Sequence, residues 1–197
     1  MQIDPYLVQK ISELMNVYRN AFAQICKLWA DEIVFTWHWW LALGLTIAPW
    51  VFWAFVHDKK QSHRLFNAGF ITLLIASLLD LIGIYIGLWQ YHTMVVPLVP
   101  AYLPFDWSFM PVTAMLFYQF VPKISPWIKA VVFSAIGSFI VEPIFTWIGI
   151  YHRIHWEYWY SFPIYIAVFM VGYAVYRRKI RNGNKSSDSW AIENLKK

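Results

Sequence analysis

The sequence predicts an all-α integral membrane protein, a bundle of five transmembrane helices preceded by an amphipathic N-terminal helix. Hydrophobic residues make up 59% of the 197 residues and charged residues only 14%, against roughly 25% charged in an ordinary soluble domain. Residues 33–56 contain no Asp, Glu, Lys or Arg, and this run exceeds the roughly 20 residues that a helix needs to cross a bilayer. Many of the 13 tryptophans fall near the ends of such runs, as in the aromatic belts of membrane proteins.

Residues 1–32 are predicted to form the amphipathic helix, at the outer face. Asp4 and Pro5 provide an N-cap and a first-turn proline. The apolar residues that follow recur at steps of three and four, which places them on one stripe of a helix: Leu7, Ile11, Leu14, Tyr18, Phe22, Ile25 and Trp29. Such a helix either lies on the outer leaflet or packs against another subunit, and both interpretations stay open.

Five apolar segments divide the transmembrane domain, residues 33–176. They cover about residues 33–56, 65–89, 105–121, 127–150 and 158–176. The third segment is the shortest and begins beside Asp106. Residues 177–197 are first basic and then polar, which predicts a cytoplasmic tail without a packed core.

The basic residues predict the orientation of the chain. They concentrate in the first and third connections and after the last segment: Lys59, Lys60, Arg64, Lys123, Lys129, Arg177, Arg178, Lys179 and Arg181. The positive-inside rule makes these places cytoplasmic, so five spans put the N-terminus outside and the C-terminus in the cytoplasm. Because topology accounts for the net charge of +5, no nucleic-acid partner is expected. Cys26 is the single cysteine, so an intrachain disulfide is excluded.

Two carboxylates inside apolar segments form the most specific pattern. Asp80 and Glu142 are each followed seven positions later by a glycine, Gly87 and Gly149, and then by aromatic residues. The constant offset of 62 positions predicts two parallel helical-hairpin repeats, segments two and three against four and five. A carboxylate in hydrocarbon is costly, so we expect both acids at similar depth, facing the bundle interior.

The acids have two interpretations, which the sequence leaves equally weighted. They either form a functional site, as a proton donor, a relay or a cation site, or they are buried acids that fix helix register through hydrogen bonds. Pro143 interrupts the fourth segment beside Glu142, as in helices that border cavities. Gly87 and Gly149 either let neighbouring helices approach closely, the interpretation that we favour, or unwind a helix end near the interface.

The outward connections add polar and aromatic candidates for the same pocket. Trp89, Tyr151, Asp106 and Arg153 complete the predicted ligand-binding set with Asp80 and Glu142. Arg153 has three alternative partners: Asp106, Glu157 or a lipid phosphate. A metal site on His152, His155 and Glu157 is the weaker alternative to interfacial hydrogen bonding, since their spacing matches no established metal motif. No cofactor is predicted.

Two family resemblances concern the later segments. Val141-Glu142-Pro143 through Trp156 to Ser161, together with Leu79-Asp80 to Trp89 and Asp106-Trp107 to Gln119, resemble an uncharacterised family of small multi-pass membrane proteins of spore-forming bacilli and clostridia. That resemblance covers roughly residues 65–176 and implies a bacterial plasma membrane. The recurring acid, glycine and aromatic residues are also faintly similar to lycopene-cyclase-type membrane proteins, in which a proline-acid-acid motif donates a proton to an alkene. Here Pro104-Phe105-Asp106 carries one acid in a shifted position.

These observations give three hypotheses about function. The leading one is a non-enzymatic membrane protein whose paired carboxylates form an intramembrane pocket for a lipid, a small molecule or a partner helix. The second is an isoprenoid-modifying enzyme that uses Asp80, Asp106 or Glu142 as a proton donor. The third is a proton-coupled transporter that acts as a dimer. Membrane lipid, a second copy of the chain and another membrane protein are the predicted partners.

Overall fold

The computed structural model describes residues 4–97, 102–120 and 123–178, and this part of the chain is mostly helical. Its helices are α1 (Pro5–Leu28), α2 (Trp37–Val56), α3 (Ser62–Tyr85), α4 (Met110–Phe120), α5 (Pro126–Ile136), α6 (Glu142–Trp147) and α7 (Tyr158–Arg177). Two short strands, β1 (Trp89–Tyr91) and β2 (Tyr151–Arg153), pair antiparallel. The predicted tail beyond residue 178 lies outside the described residues.

Four helices of the described chain are long and apolar enough to cross a membrane. They are α2, α3, the continuous helix Pro126–Trp147 and α7. The third predicted segment is also helical, because a π-helical stretch over Leu103–Phe109 continues directly into α4. Val121, its predicted last residue, lies outside the described residues.

The amphipathic leader is helical, as its pattern predicts. The Asp4 side chain accepts a hydrogen bond from the Tyr6 backbone N–H at 3.0 Å and caps α1. None of the residues of α1 is buried. It reaches the described part of the bundle near the strands, where the Tyr18 and Tyr85 hydroxyls lie 3.3 Å apart. Directly after α1, in the π-helical turn Trp29–Ile33, Trp29 Nε1 donates to the Met94 carbonyl at 2.9 Å.

The two ends of the bundle differ in their contacts. At one end the connection after α2 and the first turn of α3 meet the C-terminal ends of α4 and α7. Asp58 N of the connection donates to Gln119 Oε1 at 2.9 Å, and Arg64 Nε of α3 donates to the Tyr176 carbonyl at 2.9 Å. At the other end the start of α2 meets the β1 and β2 connections, since Trp39 Nε1 donates to the Val95 carbonyl at 3.1 Å. With Pro126–Trp147 counted as one helix, successive helices from α2 onward therefore run in alternating directions.

Helices α3 and α7 pack closely towards the end of the bundle that carries Arg64 and Tyr176. A Cβ built on Gly172 of α7 would lie 2.6 Å from both the Thr72 and the Tyr118 hydroxyl oxygens, and one on Gly69 of α3 would lie 2.6 Å from the sulfur of Met115. The Tyr118 hydroxyl donates to the Phe169 carbonyl at 2.9 Å. This half of the bundle is thus closely packed, and the acidic cavity described below lies towards the strand end.

The expectation that Gly87 and Gly149 allow close helix packing is wrong. Their φ angles are +76° and +79°, and a Cβ on either would meet nothing within 4 Å. Each glycine instead ends a helix in the left-handed conformation that other residues adopt only with strain. The turn that follows sends the chain back over the end of its own helix into a strand.

Candidate functional site

An acidic cavity of about 210 Å³ lies at the strand end of the bundle. Helices α3 and α7, the π-helical stretch before α4, helix α6 and both strands contribute to its wall. The cavity brings together the three acids that the sequence singled out, Asp80, Asp106 and Glu142. Their exposed fractions are 5%, 3% and 6%, so all three side chains are buried in the protein interior.

The turn at Gly87 supplies Asp80 with hydrogen-bond donors. It places β1 over the end of α3, where Trp89 Nε1 donates to Asp80 Oδ1 at 2.7 Å and the Tyr91 hydroxyl donates to the same oxygen at 2.9 Å. The Trp89 indole packs directly on Gly83 of α3. Asp80 therefore holds the β1 segment against the helix from which it emerges.

Asp80 and Asp106 share a third donor. The backbone N–H of Tyr102 donates to Asp80 Oδ2 and to Asp106 Oδ2, each at 3.0 Å. This shared donor brings the two carboxyl groups together in the cavity wall. The acid that shares a donor with Asp80 is thus Asp106 and not its repeat equivalent, Glu142.

Glu142 has a different environment. The Tyr165 hydroxyl donates to Glu142 Oε1 at 2.5 Å, whereas the buried Oε2 has no hydrogen-bond partner among the described residues. The neighbouring Ser161 oxygen accepts from Trp156 Nε1 at 2.9 Å. A buried polar atom without a partner is unusual and costly, so Oε2 is available to accept a hydrogen bond in this cavity.

The local helix geometry explains how Glu142 reaches the cavity. Pro143 has no N–H and its ring conflicts with the carbonyl four residues earlier. The helix relieves this conflict by widening into a π-helical turn over Gly137–Val141, directly before Glu142. Asp106 lies in the other wide turn, Leu103–Phe109. Such turns are frequent at functional sites, and here one contains Asp106 and the other directly precedes Glu142.

Aromatic side chains form most of the remaining wall. The Trp89 and Trp156 rings meet edge to face with centroids 4.9 Å apart, and Tyr91 contacts Tyr151 at 5.5 Å. Behind this wall Tyr91 stacks on Tyr102 at 4.2 Å. The cavity is therefore a mainly apolar space in which a few polar atoms have fixed positions, the usual composition of a small-molecule site.

The tyrosines of the connections stay protonated over the usual pH range. Burial raises the pKa of Tyr91, Tyr102 and Tyr151 above the ordinary tyrosine value, and the nearby acids raise it further. The neutral phenol is consequently favoured at each position. The Tyr91 hydroxyl can therefore keep its bond to Asp80 in mildly alkaline solution.

Five of the six predicted ligand-binding residues line the cavity: Asp80, Asp106, Glu142, Trp89 and Tyr151. Arg153 is not among the lining residues. Its guanidinium donates to Glu157 Oε2 at 2.6 Å and stacks over the Tyr158 ring at 3.9 Å. Of the three partners that the sequence left open for Arg153, the structure therefore shows Glu157.

The histidines of the β2 connection do not assemble a metal site. The His152 ring stacks on His92 with centroids 5.4 Å apart, and Glu157 is bonded to Arg153. Within the described ranges, no three His, Cys, Asp or Glu side chains are grouped so that they could hold a metal ion. The alternative metal site of His152, His155 and Glu157 thus finds no geometric support.

Several site residues could not be recognised from sequence. Tyr165, Ser161 and Trp156 belong to an aromatic-rich stretch in which nothing distinguishes one ring from the next. The role of Tyr102 depends on its backbone N–H, which leaves no side-chain signal. One clue existed for Tyr91, because a buried acid needs donors and Gly87 allows the chain to turn back towards Asp80.

The fold and cavity define a helical protein with several helices able to span a membrane and a buried acidic, aromatic-lined cavity. Comparisons with protein-family models, curated proteins and solved structures found no match to this chain.

Proposed function

We propose that this protein is a multi-pass membrane protein that binds a small, largely apolar molecule in the acidic cavity. The observation that carries the proposal is Glu142 Oε2, a buried acceptor in the cavity wall without a partner among the described residues. A ligand that donates a hydrogen bond to this oxygen would remove the cost of leaving it unsatisfied. The aromatic wall would contact the apolar part of the ligand.

The proposed topology has five spans. The helix from Leu103 to Phe120, at about 1.5 Å per residue, is roughly 27 Å long and nearly matches the hydrocarbon core. The alternating helix directions and the basic residues gathered at one end support an outer N-terminus and a cytoplasmic C-terminus in a bacterial plasma membrane. The acidic cavity would then lie in the outer half of the bilayer, with α1 on the outer surface.

A twofold internal repeat is also proposed, and the backbone supports it. The hydrogen bonds that end α3 are Ile86 N to Ile82 O, Gly87 N to Ile84 O and Leu88 N to Gly83 O. Those that end α6 join the residues 62 positions later, Ile148 to Ile144, Gly149 to Thr146 and Ile150 to Phe145. Gln90 also pairs with its own repeat equivalent, His152, at the centre of the two strands.

The binding proposal can be tested by identifying molecules that co-purify with the full chain. Protein extracted in a mild detergent would be analysed by mass spectrometry as wild type, as Glu142→Gln and as Glu157→Gln, a matched acid outside the cavity. We expect one small molecule to be enriched in wild type and Glu157→Gln and lost from folded Glu142→Gln. An identical set of molecules in all three proteins would contradict the proposal.

An enzyme that protonates an isoprenoid alkene is the second candidate. The shared Tyr102 N–H favours it, because it brings the Asp80 and Asp106 carboxyl groups together in the wall of an aromatic cavity, where a protonated member of the pair would be a proton donor. Aromatic faces stabilise cations, which protonation of an alkene creates. Expression in a carotenoid-producing host would test this function. Unchanged pigments with wild-type protein would count against it for those polyenes.

A further inference from the structure

The cavity contains acids without basic counterparts. Its lining residues include Asp80, Asp106 and Glu142 but no Lys, Arg or His. The ion pair found among the described residues joins Arg153 and Glu157, whose side chains do not line the cavity. The charge of Arg153 acts on Glu142 from outside the cavity, but this guanidinium is already paired with Glu157. An occupant that carries positive charge would therefore meet acids without a basic side chain in the cavity wall.

The cavity geometry disfavours a metal ion and favours an organic cation. No group of three suitable ligands occurs in the described part of the chain, whereas Trp89, Trp156 and Tyr151 present aromatic rings to the cavity. Aromatic faces attract ammonium groups. Glu142 Oε2 supplies an unpartnered acceptor for an ammonium N–H.

The size of the cavity limits which part of the occupant it can enclose. An apolar cavity of about 150 Å³ holds a benzene molecule, so about 210 Å³ encloses a polar head with a few carbon atoms. A longer chain would have to extend beyond the wall. The occupant is therefore either very small or partly outside the cavity.

The cavity wall reaches the lipid-facing surface between α3 and α7. The lining residues Leu79 and Ile82 of α3 are 36% and 46% exposed, and Ile164 of α7 lies on the facing helix. The same two helices are closely packed farther along, at Gly172. An acyl chain leaving the cavity between α3 and α7 would continue among the lipid chains.

We propose that the ligand of this cavity is a lipophilic primary amine. Its ammonium group binds Glu142 beside the Asp80–Asp106 pair, and its hydrocarbon chain passes between α3 and α7 into the bilayer. This inference rests on the proposed binding function and specifies the chemical class of the ligand and its route of entry.

The test uses the full chain in lipid nanodiscs and three probes with the same chain length: decylamine, decanol and decanoic acid. Thermal unfolding would be followed by circular dichroism. We expect saturating decylamine to raise the Tm of the wild type and of Glu157→Gln by about 3 °C or more. The amine should leave Glu142→Gln unchanged, and the alcohol and acid should have little effect on any of the three proteins.

A second pair of variants tests the entry route without altering an acid. Ile82→Trp fills the opening, whereas Leu74→Trp adds the same bulk to a 47% exposed position of α3 outside the cavity. We expect Ile82→Trp to abolish the decylamine shift and Leu74→Trp to retain it. Equal shifts in both variants would overturn the proposed route.

The outcomes separate the amine assignment from the wider binding proposal. If decanol raises Tm as much as decylamine, and Glu142→Gln removes both effects, the amine assignment fails while the binding site stands. If decylamine shifts wild type and Glu142→Gln equally, its effect comes from the bilayer and the amine assignment also fails. The co-purification experiment then decides the binding function independently.

Discussion

Asp80 and Asp106 accept a hydrogen bond from the same backbone N–H, that of Tyr102, at 3.0 Å each. With Trp89 and Tyr91 also donating to Asp80, this carboxyl group joins α3, β1 and the segment before α4. Asp80 is therefore well supplied with donors from the protein itself. Glu142, its equivalent in the proposed repeat, has one carboxyl oxygen without a hydrogen-bond partner among the described residues. Asp80 is therefore suited to a structural role, and Glu142 to binding a ligand.

Asp80→Ala is expected to destabilise the protein strongly. The substitution leaves Trp89 Nε1 and the Tyr91 hydroxyl without their acceptor, and each buried unsatisfied group costs about 1–3 kcal/mol. The free energy of unfolding, measured by SDS titration from mild detergent, should fall by about 3 kcal/mol or more. Glu157→Ala, which breaks a partly exposed ion pair, should cost less than about 1 kcal/mol. Equal losses would contradict a structural role for Asp80.

Glu142→Gln is expected to change stability by less than about 1 kcal/mol. The amide oxygen of glutamine can still accept from the Tyr165 hydroxyl, and no described residue loses a bond to the replaced Oε2. The same SDS titration measures this change. A loss as large as that of Asp80→Ala would mean that Glu142 is also a structural acid.

Gly83→Ala is expected to displace the Trp89 indole. A Cβ at this position would lie 2.1 Å from Trp89 Cζ2, so the ring must move and its bond to Asp80 must break. We expect a cost of about 2 kcal/mol and a changed tryptophan near-ultraviolet signal. The matched control is Gly44→Ala, where a Cβ meets nothing within 4 Å and should be neutral or stabilising by up to about 1 kcal/mol. Similar results for both glycines would contradict the close contact.

Gly87→Ala and Gly149→Ala test the helix ends. At φ of +76° and +79° an alanine is strained by about 1–2 kcal/mol, although the added methyl group meets no atom. Each variant should lose that amount of unfolding free energy, and the double variant should lose their sum. Stability unchanged in both single variants would show that the left-handed turns are not needed.

Alkaline pH is expected to destabilise the protein through the buried tyrosines. The folded-state pKa of Tyr91, Tyr102 and Tyr151 is raised above the ordinary value of 10.0, so the folded state retains protons that the unfolded state loses. Stability is fully present below about pH 10 and falls above it, by up to about 1.4 kcal/mol per pH unit for each tyrosine. Tyrosinate absorbance and unfolding should be measured together. If all 12 tyrosines ionised in the folded protein near the ordinary pKa of 10.0, the burial of these three would be contradicted.

Hydropathy predicted the helices well because a long apolar run has few alternatives to a helix in a membrane. The last helix, Tyr158–Arg177, matches the predicted residues 158–176 within one position. The π-helical turns before Met110 and Glu142 could not be predicted, since they arise from local conflicts at proline and from packing. Residues 126–147 consequently remain one continuous helix despite Pro143.

The acids of the site were predictable from their cost in an apolar segment, whereas their partners were not. A carboxylate in hydrocarbon stands out in any sequence. The choice of Asp106 as the neighbour of Asp80 depends on how the segment before α4 folds back, with the Tyr102 N–H between the two acids. Gly87 and Gly149 were assigned to helix packing because the φ angle of a glycine cannot be read from the sequence. A glycine that ends a helix and a glycine at a close helix–helix contact both appear in the sequence as a glycine within an apolar run.

The most direct measurement is an experimental density map of the full chain in nanodiscs prepared from native lipid. We expect non-protein density in the acidic cavity, within about 3 Å of Glu142 Oε2, continuing between α3 and α7 towards the lipid. A map in which Glu142 points into the bilayer, or in which protein side chains fill the cavity and satisfy Oε2, would contradict a ligand site built on this acid.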